Sequence, residues 1–115
     1  MKIEELDVYR RAHVFTLYMY KITASFPREE LFGLTGQIKR AAASINANLM
    51  EGCARKTNGE FRQFIYVSRG SAEELVYHLV LARDLHYIQE DIAEKCIKEI
   101  KEIGKMINGL LKVIQ

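Results

Sequence analysis

Apolar residues recur at helical spacing along nearly the whole chain, and no stretch alternates in the way a half-buried strand would. The clearest stretch is residues 34–53. There Ile38, Ala41, Ala42, Ile45, Leu49 and Met50 form an apolar stripe. A second line, Gln37, Arg40, Ser44, Asn48 and Glu51, steps by 3, 4, 4 and 3 and runs polar down the same helix. Twenty residues at about 1.5 Å each make a rod of about 30 Å. Gly52 marks a place for that helix to end or bend.

Three further helices follow from the same reading. The first spans about Glu5 to Ser25, and Phe26-Pro27 stops it, because the residue before proline avoids the helical region. Leu6, Tyr9, His13, Leu17, Tyr20 and Ala24 share one of its faces; Val8, Ala12, Phe15, Met19 and Ile22 share a neighbouring one. That surface is wider than one bundle seam needs, so it predicts either self-association or contact with two neighbouring helices. Residues 28–36 form a connector with a short turn near Glu29 to Phe32; its Gly33 and Gly36 resemble a nucleic-acid clamp loop only superficially, since no strands flank them.

The third helix spans about Gly59 to His86, with Phe61, Phe64, Ile65, Ala72, Leu75, Leu79 and Ala82 inward. Thr57 and Glu60 form a capping box at its start. The fourth spans about Glu90 to Leu111 on a seam of Ile92, Cys96, Ile100, Ile103, Ile107, Leu110 and Ile114, with Asp91–Lys95 and Glu94–Lys98 as solvent-side pairs. Four long helices with short links predict an all-α, antiparallel up-down-up-down four-helix bundle, one domain over residues 1–115. The short link at residues 54–58 makes the second and third helices antiparallel neighbours. Counting outward from it sets Asn48 near Phe64, Ser44 near Ser68, and Arg40 near Ser71 or Glu74. The polar line therefore predicts a seam or subunit interface of Arg40, Ser44, Asn48, Glu51, Ser71 and Glu74, with Arg40 to Glu74 as its ion pair.

Charge modifies this picture mildly. The net charge is +2, but residues 1–72 hold 11 Lys and Arg against 7 Asp and Glu, while residues 73–115 hold 6 against 8. Lys39, Arg55, Lys56, Arg62 and Arg69 belong to the hairpin of the second and third helices, with Arg55 and Lys56 at its tip and Tyr66 available to stack on a base. A solvated basic face is the competing reading. Catalytic chemistry finds little support: Glu74 and His78 stand alone without the Glu-x-x-His pattern of di-iron bundles, the histidines are scattered, and Cys53 has no orienting partner. The expectation is no enzyme, no metal and no cofactor. Cys53 and Cys96, far apart, read as reduced packing thiols of a cytoplasmic protein. The polar N-terminus is unlike a signal peptide, and no apolar run reaches the ~20 residues of a membrane span.

Several motifs together carry a resemblance. Gly33-Leu34, Gln37-Ile-x-Arg40-Ala41, Ser44-Ile45, Asn48-x-x-Glu51-Gly52, Glu60, Arg69-Gly-Ser-x-x-Glu-Leu75 and Leu85-His-Tyr-Ile88 resemble the four-helix bundle proteins of the 23S ribosomal RNA intervening-sequence family. The chain departs from the family's habit at Leu49-Met50, commonly Ile-Ala, and at His86, commonly glycine. The resemblance implies likeness to the accessory bundle protein of diversity-generating retroelements, a homopentameric ring that binds nucleic acid and a reverse transcriptase. It implies no catalytic residues. The expected partners are thus further copies of the chain, as a pentamer, with RNA more than DNA as ligand, or instead a protein partner served by a structural adaptor.

Overall fold

A computed structural model describes residues 1–115 as helices and connecting turns. A 3₁₀ turn at Ile3–Glu5 precedes α1 (Asp7–Thr23); a second at Arg28–Glu30 leads to α2 (Leu34–Cys53), α3 (Asn58–Asp84) and α4 (Glu90–Val113). The elements fall where periodicity places them, shifted by one or two residues at most ends. The N-terminal turn was not legible from the pattern; it tucks Ile3 into the core.

Cross-helix contacts fix the topology. Ser44 meets Ser71, Ile45 meets Ser68, and Gly52 meets Phe61, so α2 and α3 run antiparallel. Thr16 Oγ1 reaches the carbonyl of Ala42, and Asn46 reaches that of Tyr9, which sets α1 antiparallel to α2. Arg69 meets Asn108 while Arg62 meets Leu111, which does the same for α3 and α4. α1 touches α2 and α4 but not α3, closing a four-cornered bundle of 43 × 25 × 20 Å.

The core runs along the bundle axis. Met19, Ile38, Ile45, Leu49, Ile65, Leu75, Leu79, Ile100, Ile103 and Ile107 are fully buried. Of the two apolar faces expected on α1, the one bearing Val8, Ala12, Phe15 and Met19 enters the core. His13, Leu17 and Tyr20 from the other face stay exposed, as do Val14 and Tyr18. Arg11 clamps α1 to α4 by two 2.8 Å bonds to the Glu99 carboxylate. The guanidinium holds that carboxyl below its ordinary range, while its own pKa is raised.

Two backbone positions explain local sequence. Gly52 is not a helix-ending residue of unusual φ, since no glycine has positive φ. It is a point of close approach: a Cβ there would sit 2.6 Å from Phe64 Cβ and 2.9 Å from Phe61 Cδ1. His86 adopts φ 63°, where the family resemblance expects glycine. It closes α3 in a Schellman arrangement, with Tyr87 N–H donating to Ala82 and His86 N–H to Arg83. The turn is anchored by Tyr87, whose ring packs 5.4 Å from that of Phe26 and whose hydroxyl donates to Glu30 Oε2 at 2.8 Å. Glu30 Oε1 in turn accepts from Leu34 N–H at the start of α2, and these two bonds lower the Glu30 pKa.

Three expected local interactions differ. Thr57 Oγ1 accepts from Glu60 N–H at 3.1 Å, but the Glu60 carboxylate meets the Thr57 hydroxyl, not the Thr57 backbone. Asp91 and Glu94 form no ion pair with Lys95 or Lys98, because Asp91 turns back onto the N–H of Ile92 in the first turn of α4 and Glu94 and Lys98 stay separately solvated. Ser44 meets Ser71 where Ser68 was expected, one turn further along α3.

Gly52→Ala should cost about 1–3 kcal/mol of stability in urea unfolding, because the methyl must displace Phe64 or separate α2 from α3. An unchanged midpoint would show that the two helices do not meet so closely. His86→Gly should act oppositely and raise the melting temperature, relieving a left-handed conformation that costs an L residue about 1 kcal/mol.

Candidate nucleic-acid interface

Arg62, Tyr66 and Arg69 fall at i, i+4 and i+7 of α3 and so form one stripe on the side facing α4. The end of α4 leaves carbonyls without helical partners. Arg62 supplies them, its guanidinium donating to the carbonyls of Leu111 and Ile114. The same group lies 5.9 Å from the Tyr66 ring centre, and Nη2 is 3.4 Å from the Tyr66 hydroxyl. Arg69 approaches that ring to 4.9 Å and donates to Asn108 Oδ1 at 3.1 Å. Tyr66, 41% exposed, is therefore an aromatic ring flanked by two cations.

The other three basic residues lie elsewhere. Arg55 pairs with Glu51 at 2.8 Å and covers the Phe64 ring at 4.8 Å, on the α2 side of α3. Lys56 is exposed at the hairpin tip and makes no ion pair. Both chain ends gather at this tip: Asn58 Nδ2 donates to the Gln115 carbonyl and the Cys53 thiol to that of Met1, each at 3.3 Å. Lys39 sits about 21 Å back along α2 from its end at Cys53. Its ammonium lies 5.0 Å over the Tyr20 ring of α1. Arg55, Lys56 and Arg62 thus share one end of the bundle; Arg69 lies about 16 Å along α3 from its start, level with Ser44 and Ile45 of α2, and Lys39 lies deeper still.

The polar seam is partly assembled. The Ser44 and Ser71 hydroxyls are 2.5 Å apart, and Asn48 Nδ2 donates back to the Ser44 carbonyl at 2.7 Å. Ser68, fully buried, donates to the Ile45 carbonyl at 2.8 Å. Glu51 turns to Arg55 in the link that follows its own helix. The expected Arg40–Glu74 pair does not form. Arg40 is exposed and folds toward Gly36 on its own helix, and Glu74 instead meets His78 Nε2 at 2.9 Å, one turn along α3. Glu74 and His78 are joined by no third metal-ligating side chain. Burial pushes the Cys96 thiol up to about 11, so it stays protonated and packs as a small apolar group.

The protein-family model described as 23S rRNA-intervening sequence protein matches residues 4–109. The chain belongs to this family. Among solved structures, it is similar to the crystal structure of a protein of unknown function from the S23 ribosomal protein family of Bacteroides thetaiotaomicron. The two share 24% identity and a TM-score of 0.81, over 91% of this chain and 98% of that one, a likeness of fold. No functionally curated protein matches.

In this member of the 23S rRNA-intervening sequence family, sequence reading missed a second set of cations. Arg83 from α3 and Lys98, Lys101 and Lys105 from α4 line a groove of about 470 Å³, together with Ile97, Glu94 and Glu102. Their spacing of 3 and 4 was legible as a stripe, but the net negative charge of residues 73–115 concealed it. No helix of the structure is long and apolar enough to cross a membrane.

Arg62→Ala should lower the melting temperature by several degrees, since hydrogen bonds from a charged donor to terminal carbonyls contribute about 1.5–3 kcal/mol. Lys56→Ala should leave it within error. Equal effects in differential scanning calorimetry would refute a capping role for Arg62.

Proposed function

We propose that this protein is a non-enzymatic, self-associating four-helix module that binds nucleic acid, RNA in preference to DNA, through the α2–α3 hairpin, with Arg55, Lys56 and Arg62 at its end and Arg69 further along α3. The observation that carries the reading is Tyr66 exposed between the guanidinium groups of Arg62 and Arg69. Cations there neutralise phosphates, and a partly exposed ring beside them offers an unpaired base a stacking partner in exchange for a guanidinium. The preference for RNA rests on the family's description as a 23S rRNA-intervening sequence protein. Self-association rests on α1, where Val14 and Leu17 are 67% and 57% exposed beside Tyr18 and Tyr20. Repetition by symmetry would multiply a modest patch, with five copies as the number the family resemblance implies.

A second reading has its own support. Phe32 is 95% exposed in the connector at the opposite end from the hairpin tip, a side chain suited to a protein partner. An adaptor would bind that partner and reach nucleic acid only through it.

The test is anisotropy of a labelled single-stranded RNA, a structured RNA and duplex DNA against the purified protein across a salt series, with its mass measured by light scattering. We expect a multiple of the monomer mass, a steep salt slope, and a preference for RNA. Charge reversal of Arg55 and Lys56 together should weaken binding and flatten the slope by about one for each phosphate left unneutralised. Absence of binding at low salt would sink direct recognition and favour the adaptor; a monomeric mass at micromolar concentration would sink the assembly.

A further inference from the structure

We propose that the α3–α4 groove carries the backbone of a single-stranded RNA segment, with Lys98, Lys101, Lys105 and Arg83 facing phosphates and Tyr66 receiving a base at one end. The inference rests on the nucleic-acid reading above and extends it to a surface beyond the hairpin tip.

The groove is cationic by construction. Lys98, Lys101 and Lys105 lie on the side of α4 away from the buried seam of Ile100, Ile103 and Ile107, so the packing that buries the isoleucines fixes the side on which the lysines emerge. Rises of about 4.5 and 6 Å separate successive lysines. All three are exposed, and Lys98 and Lys101 make no ion pair. Lys105 pairs with Glu102 at 3.2 Å, an exposed contact that a phosphate can displace. Arg83 enters from α3 with its Nε paired to Asp84 at 3.0 Å, an exposed contact that leaves its other guanidinium nitrogens to the groove. The seven lining residues hold four cations against Glu94 and Glu102.

The groove also leads somewhere. One turn beyond Lys105 lies Asn108, which holds Arg69, and Arg69 lies against Tyr66. From Lys98 to Asn108 is about 15 Å along α4. A strand following the lysines therefore arrives at the aromatic ring. Only an unpaired base can stack there, since the bases of a duplex are already stacked on one another, and this selects a single strand. The surface lies apart from the expected assembly face: Tyr66, Arg69 and Arg83 stand on α3, which does not touch α1, and the α4 lysines emerge on a different side of that helix from Glu99, which meets Arg11 of α1.

The experiment uses the full chain and a fluorescein-labelled single-stranded RNA of about 16 nucleotides, within the range one small domain covers. The groove variant is Lys98→Gln with Lys101→Gln and Lys105→Gln, all at exposed positions. Its melting temperature and oligomeric mass should match those of the parent. We expect at least about tenfold weaker binding at low salt and a log–log salt slope smaller by about two, near 0.7 for each phosphate that the parent neutralises and the variant does not. Tyr66→Leu should weaken the single strand by about tenfold and leave duplex binding unchanged. Parent-like affinity and slope in the groove variant, with the Arg55 and Lys56 reversal still weakening binding, would overturn the groove and leave the hairpin-end reading standing. No binding by the parent protein would overturn both. A parent that prefers duplex to single strand would overturn the single-strand assignment.

Discussion

Close approach of α2 and α3 sets the geometry on which the other contacts rest. At position 52 the helices meet so tightly that glycine alone leaves room for Phe61 and Phe64. Further along, two serine hydroxyls touch, and a buried serine on α3 bonds the backbone of α2. Small and hydroxylated side chains let two helices come near each other, and their hydrogen bonds then define one register among several that apolar contact alone would tolerate. With that register fixed, Ile45, Leu49, Ile65 and Leu75 are committed to the core, and α1 and α4 close over them. The hairpin is a frame, and the outer helices dock on it.

Much of this was legible because helix packing writes itself into periodicity. The stripe of Ile38, Ala42, Ile45 and Leu49 announces a helix and its inward face without reference to anything distant. Counting outward from the short link came within one turn, setting Ser44 opposite Ser68 where it meets Ser71, because the link fixes which helices are neighbours but not the last turn of their register. What failed was partner choice among flexible charged side chains. Arg40 and Glu74 face compatible directions in a counting argument, but each can reach a partner or solvent on its own helix at less entropic cost than bridging to the other. Contacts such as Arg11 with Glu99, or Tyr87 with Glu30, join residues far apart in sequence with no periodic signal, and no local pattern encodes them.

The basic residues illustrate a related limit. Five cations gathered by sequence region prove to have different structural duties. Arg62 closes the end of α4, Arg55 is held by Glu51, and Lys39 packs over Tyr20 at the far end. Segment charge is a poor guide in the other direction too. The C-terminal part of the chain is net acidic, yet its lysines at positions 98, 101 and 105 emerge on one side while Glu99 is drawn to Arg11 on the other. Two helix faces a quarter-turn apart can carry opposite charge within the same ten residues, and only the packing of the helix separates them.

That separation bears on how one small bundle could combine assembly with binding. α1 carries exposed apolar side chains at one corner, and α3 stands at the corner α1 does not touch. An association through α1 would bury Leu17 and Val14 while leaving Tyr66, Arg69 and the α4 lysines turned away from the junction. Each added copy would then contribute its cations to a common outer surface without burying them, and would incur no desolvation of charge at the interface. The energetics of association would be apolar and nearly independent of salt, whereas those of a bound polyanion would weaken steeply with it. Ionic strength would therefore separate the two proposed activities: a rise in salt would strip a polyanion while an apolar assembly persisted, because the two would draw on different forces at different corners of the same fold.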